Sequence, residues 1–159
     1  MSSYMVKLGS VAETSSGGTP QRGVARFYGG KIPWVKSGEL PDGPIFVTEE
    51  SITETGLSES SSKLLPAGTL LIAMYGATVG KLGVLKIPAA TNQAVCAIRP
   101  SQQLDRDYLF YWLFSIREEL SKASFGGAQP NISQGYLRDL DVPLLPIFKQ
   151  GGFKDQVQR

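Results

Sequence analysis

The stretch "AMYGATVGKL" at residues 73 to 82 sets two glycines and a lysine at a spacing close to that of a nucleotide-phosphate loop. Such a loop follows G-x-x-x-x-G-K-[ST]: backbone amides cradle the phosphate, the lysine reaches it, and the final hydroxyl holds magnesium. Here Gly76 and Gly80 enclose three residues, and Leu82 follows Lys81. The loop is one residue short and leucine holds no metal. Gly76 and Gly80 therefore read as turn residues chosen for backbone geometry, with Thr78 and Lys81 left free to meet a phosphate of another kind.

Catalytic groups are scarce. Histidine is absent, which removes Ser-His-Asp and Cys-His chemistry and the commonest zinc ligand. A magnesium nuclease of the Asp/Glu-x-Lys type needs an acid two residues before a lysine, and none of the 14 acids has that spacing. The Asn-Pro-Pro-aromatic and Pro-Cys elements that grip a flipped base in DNA methyltransferases are missing too. Cys96, the one cysteine, sits in the apolar run "AVCAI" and reads as a buried thiol, not as half of a disulfide or a metal ligand. The expectation is a chain with no catalytic residue, no metal and no cofactor.

Binding groups are better represented. The segment "GGTPQRGVARFYGGKIPWVKSGEL" mixes turn-formers with amide, hydroxyl, cationic and aromatic side chains, a combination suited to phosphate positioning and base-edge reading. Within it Thr19, Gln21, Arg22, Arg26, Lys31, Lys36 and Ser37 are candidate DNA contacts, joined by Thr78 and Lys81 further on. Arg22, Arg26, Lys31, Lys36 and Lys81 would supply phosphate contacts or guanine readout; Thr19, Gln21, Ser37 and Thr78 would add polar contacts. Gly18, Pro20 and Trp34 shape the turns of that segment. Asn92, Gln93, Gln129 and Asn131 lie in turn sequences, where side-chain amides fix loops by binding backbone.

Charge is segregated, although the net charge is only +2. Residues 14 to 38 and 63 to 100 contain bases and no acid, whereas residues 39 to 62 contain Glu39, Asp42, Glu49, Glu50, Glu54 and Glu59 and no base. Such blocks either place cations on one face or decorate a solvated surface.

The elements that must position these groups fit one domain of 159 residues, 42% hydrophobic. "YMVKLGSVAE" reads as a short strand, "KIPWVKS" and "DGPIFV" as extended segments, and "TETGLSESSS" as a polar loop. "LPAGTLLIAMYG", "LGVLKI" and "AVCAIRP" supply three strands of a mostly antiparallel meander. One helix is expected at "LDRDYLFYWLFSIREELSKA", with Leu109, Trp112, Leu113, Ile116 and Leu120 on one face and Asp105 as N-cap. "LRDLDVPLLP" alternates as a last short strand. No apolar run is long enough to span a membrane and "MSSYMVKLG" is no secretory signal, so the cytoplasm is the expected compartment.

Taken in order, "VKLGSVAETSSGGTP", "GGKIPWVKSGEL", "LPAGTLLIAMYGATVGKLGVL", "ATNQAVCAIRP", "DYLFYWL", "GGAQPNIS" and "LDVPLLP" resemble one target-recognition domain of a type I restriction-modification specificity subunit, from about Val6 to Pro146. The resemblance implies an α+β fold, a twisted, partly barrel-like antiparallel β-sheet with flanking helices. It also implies a non-catalytic, sequence-specific DNA-binding role in directing DNA methylation and restriction. In the family two such domains each read half of a split site in double-stranded DNA. Long helices space them and dock the methyltransferase subunits, and the restriction/translocase subunit joins the assembly.

The chain departs from that pattern where "VPLLPIFKQGGFKDQVQR" turns to glycines in place of a long helix. Residues 1–146 are thus expected to form the recognition domain, and residues 147–159 a frayed tail or the truncated start of the spacer helix. That departure bears on whether half-subunits pair as a dimer. The alternative is a protein-interaction module that binds a methyltransferase or a full-length specificity subunit and modulates it. A carboxylate enzyme of unfamiliar type is a further one.

Overall fold

The computed structural model describes residues 4–123 and 131–151. The opening segment is not one strand but three elements: β1 (Tyr4–Lys7), a one-turn helix α1 (Leu8–Val11) and β2 (Ala12–Ser16). Leu8 and Val11 stand at i and i+3, so a single helical turn buries both.

Next come β3 (Tyr28–Val35), β4 (Gly43–Ile45), β5 (Glu50–Ile52), helix α2 (Glu54–Ser58), β6 (Leu70–Ala73), β7 (Leu82–Leu85), β8 (Ala90–Thr91) and β9 (Val95–Pro100). Helices α3 (Arg106–Ser115), α4 (Arg117–Ala123) and α5 (Gln134–Arg138) precede β10 (Asp141–Leu144).

The main sheet has the order β2-β9-β6-β7-β4, a second sheet the order β5-β3-β8, and β1 pairs with β10. The expected meander is present in the antiparallel pairs β6–β7 and β6–β9. Two pairs, β4–β7 and β3–β8, are parallel, because each is joined by a long crossover and not by a hairpin. The fold class is α+β as expected. Among the described residues the sheets are three and none closes on itself, so "barrel-like" describes them loosely.

The central strands β6, β7 and β9 are apolar on both faces, which is why they read as continuous hydrophobic runs. Leu70, Ile72, Cys96 and Ile98 face the helices and pack with Tyr108, Leu109, Trp112, Leu113 and Leu120. Leu71, Ala73, Val95 and Ala97 face the other way, against Val35, Leu40, Ile45, Leu65 and Leu85. Ile32, Trp34, Ile52 and Ala90 form a smaller cluster under the second sheet. Burial pushes the Cys96 thiol up to about 12, which leaves it protonated and inert.

Three local expectations change. The expected single helix is two, α3 and α4, with the break at Ile116, where the Ser115 hydroxyl donates back to the Trp112 carbonyl at 2.6 Å. The polar "TETGLSESSS" contains α2, capped by Thr53, whose hydroxyl accepts from the Gly56 amide at 3.0 Å. The segment around Leu137 is helix α5, with Ser133 as its cap, before β10 begins at Asp141. Residues 147 to 151, expected to be a frayed tail or the truncated start of the spacer helix, are helical, and Gln150 is fully buried. Its side-chain amide accepts from the Asp105 backbone N–H and donates to the Gln103 and Leu145 carbonyls. Among the described residues no helix is long and apolar enough to cross a membrane.

Candidate nucleic-acid interface

The Gly/Pro-rich loop between β2 and β3 is held down from beneath by two aromatic rings. Trp34, 1% exposed, donates its indole N–H to the Gly18 carbonyl at 3.1 Å. Tyr28, edge-to-face with Trp34, donates its hydroxyl to the Pro20 carbonyl. The backbone here passes so close to β8 that a Cβ on Gly17 would lie 2.0 Å from the Thr91 carbonyl oxygen. Only glycine fits. Thr19 donates to the Gln93 side-chain carbonyl, which ties this loop to the turn after β8. In that turn the Asn92 side chain accepts from the Ala94 amide at 3.1 Å.

With the loop fixed, Arg22 lies over both rings, its guanidinium carbon 4.9 Å from the centroids of Tyr28 and of Trp34. The β3–β5 register sets Glu50 opposite Trp34, and so brings its carboxylate to the same place. Glu50 accepts from both terminal nitrogens of Arg22, at 2.6 and 3.1 Å. Lys36, one residue past β3, reaches Glu50 at 2.8 Å and Glu49 at 3.1 Å. The hydrogen bonds from Arg22 and then Lys36 hold the Glu50 carboxyl at about 2. The same contacts raise the pKa values of Arg22 and Lys36.

The remaining candidates are distributed around this centre. Arg26 lies over the Phe27 ring and 3.8 Å from Glu59. Lys31 is exposed and has no carboxylate partner among the described residues. Gln21 is exposed, and Ser37 opens a 3-10 turn whose Glu39 carboxylate accepts from the Lys36 and Glu49 amides. Thr78 and Lys81 lie elsewhere, at the turn between β6 and β7. There Gly76 and Gly80 have φ of 70° and 89°, Thr78 donates to the Tyr75 carbonyl at 2.9 Å, and Lys81 stands 3.6 Å from Asp42. No described contact joins this turn to the Arg22 centre. Asn131 pairs by backbone with Tyr75 and shares with Gln93 a cleft of about 370 Å³; Gln129 lies outside the described residues.

Four of the five candidate cations thus meet a carboxylate of the acidic segment. Sequence reasoning named those acids, Glu50 and Asp42 among them, only as a charge block and gave none of them a partner. The signal was there in the acidic block lying between two basic ones, but its use requires the strand register.

The geometry defines a class: an α+β domain presenting an ordered patch of cations, aromatic rings and polar loops. The chain belongs to the type I restriction modification DNA specificity domain family, whose model matches residues 2–152. It is 30% identical over 143 residues to the type I restriction enzyme MjaIX specificity subunit of Methanocaldococcus jannaschii, covering 86% of this chain and 33% of that protein. Its fold matches that of the HsdS subunit from Thermoanaerobacter tengcongensis with a TM-score of 0.77 at 25% identity, over 97% of this chain and 36% of that one. A chain from a structural study of complex assembly and conformational transition in the type I R-M system matches with a TM-score of 0.78 at 25% identity, over 97% of this chain and 37% of that one. This chain therefore spans about a third of the length of these relatives.

Proposed function

We propose that the chain is a sequence-specific DNA-binding module, the target-recognition domain of a type I specificity subunit, reading one half of a bipartite site without catalysing a reaction itself. Residues 1–146 form the recognition unit in this reading. The carrying observation is that the family match, residues 2–152, takes in the whole aromatic-backed cation patch. Bound DNA would bring with it a methyltransferase subunit and, through the complex, the restriction/translocase subunit. Selection from a randomised duplex library by the purified chain tests the reading: enrichment of one short motif supports it, and unbiased recovery contradicts it.

A second reading, a protein-interaction module acting on a methyltransferase or a full-length specificity subunit, draws on one feature. Tyr4, Met5, Ile147 and Phe148 are exposed, and Tyr4 and Ile147 line one groove with Leu144 and Pro146. Co-purification with such a subunit, without measurable DNA binding, favours it.

A further inference from the structure

We infer that Arg22 reads the acceptor edge of a single guanine, and that Glu50 is the positioning residue that aims it. The inference rests on the DNA-reading proposal above and goes further by assigning a role to each member of one pair.

Arg22 rests against the Tyr28 and Trp34 rings and is held along one edge by Glu50, yet its side chain remains 53% exposed. The pairing takes one N–H from each terminal nitrogen and leaves further N–H donors on the same guanidinium. A long side chain that would otherwise lose rotamer freedom on binding is thereby already oriented.

The surroundings decide what those donors can meet. A phosphate brought to Arg22 would carry its charge toward Glu50, and toward Glu49 on the far side of Lys36, which are like charges. A base edge is neutral and escapes that repulsion. Among base edges, guanine presents two adjacent acceptors, N7 and O6, in the major groove, whereas adenine sets an N6 donor beside its N7. An edge of donors therefore selects guanine. Phosphate contacts fall instead to cations free of acids, such as Lys31.

The test uses the 159-residue chain and the duplex it selects, with each guanine replaced in turn by 7-deazaguanine, which lacks the N7 acceptor. Wild type, Arg22→Lys, Arg22→Ala and Glu50→Gln are compared, with thermal melts as a check on folding. One replacement is expected to weaken wild-type binding about tenfold or more. The same replacement has no effect on Arg22→Ala or Glu50→Gln, both of which have already lost the preference at that base pair, and a smaller effect on Arg22→Lys, whose ammonium still donates but lacks the planar fork. The slope of log K against log salt is the same for Arg22→Ala as for wild type.

Uniform weakening of all duplexes by Arg22→Ala, with the slope reduced by about 0.9, would mark Arg22 as a phosphate contact and overturn the inference while leaving the DNA-reading proposal intact. A Glu50→Gln variant that melts lower but keeps the base preference overturns the positioning role. A library that yields no enriched sequence removes the DNA-reading proposal itself, and this inference with it.

Discussion

Arg117, the first residue of α4, lies across the Asp42 carboxylate while its Nε–H donates to the Gly80 carbonyl at 3.2 Å. Asp42 also accepts from the Leu82 amide at 3.0 Å and holds φ at 60°, so one carboxylate joins the start of β4, the β6–β7 turn and a helix. Burial alone would raise its pKa, but the Arg117 and Leu82 hydrogen bonds together with the charges of Arg117 and Lys81 hold it below the ordinary value. Asp42→Ala is expected to destabilise by about 1–3 kcal/mol, since the guanidinium and an amide lose their acceptor and alanine tolerates that φ poorly. Asp42→Asn, which keeps an oxygen and tolerates positive φ, costs less. Urea denaturation of the two variants measures the difference.

Glu50 makes stability depend on acid. Its carboxyl stays ionised in the fold down to about 2, whereas its ordinary value is 4.5. Above 4.5 both folded and unfolded chains carry the charge, and the full contribution of the Arg22 and Lys36 contacts is present. As pH falls from about 4.5 toward 2 the unfolded chain takes up a proton that the folded chain refuses, so stability drops across that window. Melting temperature followed from pH 6 to 2.5 is expected to fall less steeply in Glu50→Gln than in wild type.

One paired and one unpaired cation predict opposite effects of two neutralising changes. Glu59→Gln releases Arg26 and removes a negative charge from the patch, so binding to scrambled duplexes rises severalfold. Lys31→Ala weakens all duplexes alike and makes the salt slope shallower by about 0.9. Fluorescence anisotropy across a salt series reads both.

The glycines divide by mechanism. Gly17→Ala would drive a Cβ to 2.0 Å from the Thr91 carbonyl, so the loop after β2 must lift away from β8 and Arg22 loses its seat. Gly76→Ala meets no atom within 4 Å and carries only the strain of φ 70°, about 1–2 kcal/mol. Thermal melts are expected to rank Gly17→Ala well below Gly76→Ala.

How much of this the sequence displays follows from the range of each interaction. The strands β6, β7 and β9 are legible because both their faces are buried, and Trp34 announces an extended segment through Pro33 and its β-favouring neighbours. Helix α2 is hidden by its composition: Thr, Glu, Gly and Ser form a capped turn as readily as a loop, and only the Thr53 cap distinguishes them. The candidate site is half legible. Arg22, Lys36 and Trp34 stand out by type, but what they do depends on Glu50, 28 residues from Arg22 and brought there by the β3–β5 register. Lys81 stands out by its glycine turn, yet the carboxylate it meets is Asp42, just before β4, a strand that lies parallel to β7. Local pattern shows neither pairing.

The central claim is that this domain reads one half of a DNA site, and exchanging residues 2–152 for the matched segment of the full-length MjaIX specificity subunit tests it most directly. The chimera is expressed with that subunit's methyltransferase partner, and methylated sites are mapped across the host genome. The account predicts that one half of the methylated motif changes while the other half is kept. Methylation that continues at the unaltered motif would contradict it.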